Sequence, residues 1–172
     1  IQAFQLEALR RRDAIEPMFA DYCTRMGYTF RVPISEIYDL AVLEYSFAFW
    51  QWGDDVEQIP ATEASDSAYY KHLINKCEPS YFSQQTPYTS FNVQAMRELG
   101  YYGYETEPFE EYLSISTSEG YMRRVMIPDS LSYIEYDTNL YEHVNTFLHK
   151  SDIPMMFIYG EYDPWTATGV TW

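Results

Sequence analysis

The stretch from Ile37 to Trp52, IYDLAVLEYSFAFWQW, constrains this chain more than any other. At helical spacing one face carries Ile37, Leu40, Ala41, Phe47 and Ala48, and another carries Tyr38, Val42, Tyr45, Phe49 and Trp52. A helix apolar nearly all round has no side to give to water, so it is buried in its own domain or lies against another. Ser35 is placed to cap it, with Glu36 and Asp39 in the first turns and Gly53-Asp54-Asp55 at its end. One carboxylate, Glu44, falls on the apolar face. An unpaired carboxylate there costs on the order of several kcal/mol in lost hydration. Two partners are open: a structural cation such as Arg31 or Arg97, or a ligand ammonium received in a cleft that Glu44 lines. Asp54, Asp55 and Glu57 are weaker candidates for the second role. Trp50 and Trp52, with Phe47 and Phe49, either pack the core or wall an apolar pocket suited to a ring such as that of proline.

Helical periodicity surrounds this segment. Ile1 to Arg12 predicts a helix with a basic end, and Asp13 to Met26 a second one, adjusted at Pro17 and ended by Gly27. Ser65 can cap a helix with Tyr70, Leu73, Ile74 and Cys77 on one stripe, closed by Pro79. Pro87 or Tyr88 to Leu99 predicts another, with Gly100 just past it. Tyr101 to Gly120 is acidic and aromatic, with a short helix expected around Phe109 to Leu113. Met122–Ile127 and Leu131–Tyr136 are ambiguous. Asp137 or Thr138 opens a last helix to His149, with Leu140, Val144, Phe147 and Leu148 expected to face inward.

That helix is followed by a Ser151-Asp152 turn and IPMMFIYGEYDPW, from Ile153 to Trp165. A short apolar run ending in glycine, then Asp163-Pro164-Trp165, predicts a buried strand that delivers a carboxylate to the loop at its C-terminal end, where α/β enzymes place acidic catalytic residues. Asp163 could orient a histidine by accepting its ring N–H, or could simply form an Asp-Pro turn. The expected organisation is mainly α: a helical lid or cap over residues 1–136, then a helix-strand fragment of an α/β core over 137–172.

The other members of a triad are missing from these residues. No G-x-S-x-G occurs, and His72, His143 and His149 all precede Asp163. No H-E-x-x-H, Walker loop, EF-hand loop or Rossmann glycine pattern occurs, so no metal and no cofactor is expected. The net charge of −15 argues against nucleic acid and favours a cationic partner such as a peptide N-terminus. No segment has the length of a membrane span, and no signal peptide is visible. The 18 tyrosines suit either a half-wet cap over a cleft or an aromatic-rich core. Cys23 and Cys77 could pair or remain thiols.

LEYSFAFWQWGDD (Leu43 to Asp55) and FIYGEYDPWTATGV (Phe157 to Val170) together resemble the bacterial secreted tripeptidyl aminopeptidases, α/β-hydrolase serine peptidases that include prolyl tripeptidyl forms. A more distant similarity is to lysosomal prolyl carboxypeptidases and dipeptidyl peptidases, which share D-P-W after the corresponding strand. The resemblance implies that residues 1 to about 136 are mostly a lid inserted into a hydrolase domain, that Asp163 is the triad acid, and that serine and histidine lie outside residues 1–172. It implies a peptide substrate with a free N-terminus, a partner surface on the remainder of the hydrolase domain, and a secreted, periplasmic or cell-envelope location. A stand-alone acidic, aromatic helical module binding a peptide or cationic ligand is the alternative, and an interaction domain using the Ile37 to Trp52 helix is a third.

Overall fold

A computed structural model describes residues 1–172, the side chain of Thr168 excepted. The apolar segment forms the longest helix, α3 (Ile34–Gln51), and takes the centre. Burial is continuous from Ile37 to Tyr45, which requires neighbours on every side. They are α1 (Gln2–Arg10), α2 (Arg12–Arg25) and α4 (Asp66–Lys76). α1 contributes Phe4, Ala8 and Leu9; α2 contributes Ile15, Phe19 and Cys23; α4 contributes Tyr69 and Leu73. Full burial of each large side chain stabilises by about 1.5–3 kcal/mol. Phe4 anchors the join, with its ring centroid 4.3 Å from that of Tyr45 and stacked 5.1 Å from that of Tyr69.

Local signals behave as physics dictates. Ser65 caps α4, accepting the Ala68 N–H at 3.2 Å. Ser35 does not cap α3: the N-cap position belongs to Pro33, whose ring presets φ at −54° and whose carbonyl accepts from Glu36 and Ile37. α2 runs through Pro17 without interruption, and the break between the first two helices is the single residue Arg11. Cys23 and Cys77 are free, buried thiols.

Asp39 ties the second half of the chain to α3. It is fully buried, pairs with Arg12, and accepts from the Ser114 N–H (2.7 Å), the Ser114 hydroxyl (2.5 Å) and the Ile115 N–H (3.1 Å). α5 (Thr89–Gln94) continues as a wider π-helical turn, Ala95–Leu99, and Gly100 ends it at φ +77°, a conformation side chains disfavour. A second π turn spans Met122–Met126. The short helix expected at 109–113 lies earlier, as a 3-10 turn over Glu107–Phe109.

The last forty residues depart most from expectation. α6 (Asn139–Lys150) forms but buries no residue: Leu140, Val144 and Phe147 are exposed rather than inward-facing. The run from Ile153 is not a strand, and no strand occurs among the described residues. Met156 and Ile158 are more than four-fifths exposed. The reason is common to both corrections. A strand exists only by pairing with another, and an amphipathic helix buries its apolar face only against a partner; the described residues supply no second strand and cover α6 only in part, along 95–99. Among the described residues no helix is long and apolar enough to cross a membrane.

Candidate active-site wall

Glu44 occupies the most unusual environment in the chain. The packing of α3 leaves its side chain 9% exposed, facing the segment 101–121. Neither Arg31 nor Arg97 reaches it: Arg31 pairs with Asp129, and Arg97 stands beside Glu98. Tyrosines satisfy it instead. The Tyr104 hydroxyl donates to Oε2 at 2.6 Å, and the Tyr102 hydroxyl donates to both oxygens, at 2.9 and 3.1 Å. Tyr104 also bonds Tyr121 at 2.9 Å, and Tyr81 bonds Tyr101 through their hydroxyls. Among the described residues no cation ion-pairs with Glu44. Burial therefore pushes its carboxyl up to about 7, and the two tyrosine donors offset only part of that rise.

Glu44 lies in the wall of a cavity of about 420 Å³, with Ala48, Cys77, Phe82, Tyr81, Tyr101 and Tyr102. The nearest cation in that wall, Lys76, is committed to Asp54. Glu78 is likewise occupied, accepting from Ser80 and from Tyr22 at 3.1 Å. The cavity thus combines apolar and aromatic walls with two carboxylates, Glu44 and Glu78, that have donors but no ion-pair partner among the described residues, and Glu44 is the more deeply buried of the two. Such a site suits an ammonium.

The predicted tryptophans separate. Trp52 lines this cavity while remaining largely exposed. Trp50 does not line it; it stacks on Tyr162, with centroids 5.7 Å apart. Asp163 caps a 3-10 turn, Pro164–Thr168, accepting the Trp165 N–H at 3.0 Å. The chain passes close to itself at Gly160, where a Cβ would stand 3.2 Å from that of Asp163. Of the histidines, His72 bonds the Tyr45 hydroxyl at 2.8 Å and is held below its ordinary range by burial, and His149 stacks on Trp172.

A family model described as PS-10 peptidase S37 matches residues 1–171. The chain belongs to the S37 peptidase family. Among curated proteins this S37 chain is similar to the prolyl tri/tetrapeptidyl aminopeptidase of Streptomyces mobaraensis, at 26% identity over 179 residues, covering 97% of the chain and 36% of that relative. The chain therefore spans about a third of the length of the curated relative it matches. No solved structure matches.

Sequence patterns alone did not mark two further residues of the S37 chain's candidate site, Tyr102 and Tyr104, and marked Trp165 only as the last residue of D-P-W, with no role assigned to it. The Trp165 ring lines the Glu44 cavity and meets Tyr101 and Tyr102 edge-on at 5.6 Å each. This brings the Asp163 turn to the wall that holds Glu44. The available signals were the Y-Y-G-Y run at 101–104 and the tyrosine excess, neither of which carries a period.

Proposed function

We propose that residues 1 to about 136 are the substrate-covering lid of a serine exopeptidase and that residues 137–172 return into its α/β-hydrolase core. In this reading Asp163 is the triad acid, Glu44 receives the substrate's free α-ammonium, and Trp52 walls the same cavity. The enzyme releases short N-terminal units, tripeptides foremost, from peptides, and acts outside the cytoplasm or in the cell envelope. Serine and histidine come from other parts of the full polypeptide. The chemistry is acyl transfer: serine attacks the carbonyl, histidine carries the proton, and the acid fixes the histidine's tautomer.

The observation that carries this reading is Glu44 itself. A carboxylate so buried is normally paired, because burying it alone is costly. Here its lone pairs are met by Tyr102 and Tyr104 while its charge is left for a cation arriving through the cavity. The uncovered apolar faces of α6 and of 153–158 support the division at residue 136, and membership of a peptidase family supports the reaction class. The resemblance to secreted tripeptidyl aminopeptidases supports the location.

The test is Glu44→Gln in the full polypeptide. Losing a charge-assisted bond of about 1.5–3 kcal/mol raises KM for free-amine peptides by about 10- to 100-fold and leaves N-acetylated peptides, already poor substrates, unchanged. An equal effect on both, or loss of folding alone, makes Glu44 a structural residue.

A further inference from the structure

An exopeptidase that cuts at a fixed length holds the substrate's first amine and the reacting carbonyl a fixed distance apart. On the reading above, Glu44 marks one end of that span and Asp163 the other. Trp165 stands between them. Its backbone is locked to Asp163: the carboxylate accepts the Trp165 N–H at 3.0 Å, the Asp163 carbonyl accepts the Thr166 N–H at 3.0 Å, and the Thr166 hydroxyl donates to Gly160 at 3.0 Å. Its ring is locked to the lid, edge-on to Phe91 (6.2 Å), Tyr101 (5.6 Å) and Tyr102 (5.6 Å). Tyr102 is in turn held by stacking on Phe47 at 4.8 Å and on Tyr101 at 4.4 Å, with its hydroxyl on Glu44. An unbroken chain of contacts therefore runs from Asp163 through Trp165 and Tyr102 to Glu44. The residues leading into the turn are exposed, so the turn is held on the lid by this ring, by its own packing on α3 and by the Trp50–Tyr162 stack.

We propose that Trp165 is a positioning residue that sets the length of the released peptide by fixing the distance between Asp163 and Glu44. One residue of extended peptide spans about 3.3–3.6 Å, and a misplacement of about 1 Å at the reacting centre costs about a hundredfold in rate. A rigid span thus rejects the neighbouring register. Removing an indole ring leaves a gap wide enough for the span to yield by a good part of one residue. The proposal rests on the assigned roles of Glu44 and Asp163.

The test uses the full polypeptide and fluorogenic peptides with two, three, four or five residues ahead of one common leaving group, all ending in the same residue. For Trp165→Ala the kcat/KM ratio of the best length to the next falls about tenfold or more, while Trp165→Phe keeps it within about threefold. Trp165→Leu retains apolar volume and carries the same prediction as Ala should the Ala variant fail to fold. A common loss at every length, with the ratio unchanged, overturns the positioning role. Glu44→Gln runs in parallel. If it fails to separate free-amine from acetylated peptides, the anchor assignment fails; if it separates them and the Trp165 ratios stay flat, only the positioning role fails.

Discussion

Replacing Glu44 with glutamine should change how stability depends on pH, and the structure sets both the sign and the size. Burial raises the Glu44 carboxyl from its ordinary value of 4.5 to about 7 in the folded chain, against the lowering effect of the Tyr104 and Tyr102 hydroxyls. The folded state therefore holds this proton more tightly than the unfolded state does. Stability from the protonated group is fully present below about 4.5, declines as pH rises, and is lost above about 7. Each tenfold difference in proton affinity is worth about 1.4 kcal/mol, so the whole loss amounts to about 3 kcal/mol. Glutamine keeps the shape and an acceptor for the tyrosines but cannot ionise. Urea unfolding of both proteins from pH 4.5 to pH 8 gives the measurement. Every other titrating group is common to the two proteins and cancels in the difference. Glu44→Gln should gain about 3 kcal/mol on the parent across that range, with most of the gain between pH 5 and 7. A difference that stays flat to within about 0.5 kcal/mol would refute a buried, uncompensated carboxyl.

Two other perturbations probe the frame around the site. Asp39→Asn turns an acceptor-only group into one that sets an amide N–H₂ against Arg12 or against the Ser114 and Ile115 N–H groups; urea titration should show a loss of about 3–5 kcal/mol, and a loss below about 1 kcal/mol would mean the loop finds other partners. Phe147→Ser on the exposed face of α6 should change the stability of residues 1–172 by no more than about 0.5–1 kcal/mol, yet cost about 3 kcal/mol in the full polypeptide, where the proposed hydrolase core covers that face. Small effects in both settings would count against the division at residue 136.

What could be read from the sequence follows from how far each signal reaches. α1, α2, α3 and α4 were legible because a helix is written in its own period and its ends in single residues, as Ser65 shows. Ser35 misled because a serine and a proline compete for the same helix start, and the fixed φ of Pro33 wins. Residues 153–158 have the composition of a buried strand, but strand formation depends on a neighbour whose sequence is elsewhere. The inward face of α6 was legible as an amphipathic pattern; what it faces is not a local property.

Glu44 shows the same limit at the level of chemistry. Its place on an apolar face predicts that it needs a partner, and charge alone nominates Arg31 or Arg97. The structure meets the need with hydroxyls from Tyr102 and Tyr104, in a segment with no helical or strand period. The difference matters for function. An arginine would satisfy both the lone pairs and the charge, leaving nothing for a ligand to gain. Tyrosines satisfy the lone pairs alone, and burial then makes the bare carboxylate unfavourable near neutral pH. On the proposed reading an arriving ammonium removes that penalty as it binds, so part of the stability given up by the empty site returns as affinity for the substrate. Within a chain of net charge −15 the long-range field also favours a cation's approach. On that same reading the tyrosine excess has a place in the mechanism: five of the rings, Tyr81, Tyr101, Tyr102, Tyr104 and Tyr121, form one hydroxyl and stacking network, of which Tyr102 and Tyr104 hold the carboxylate.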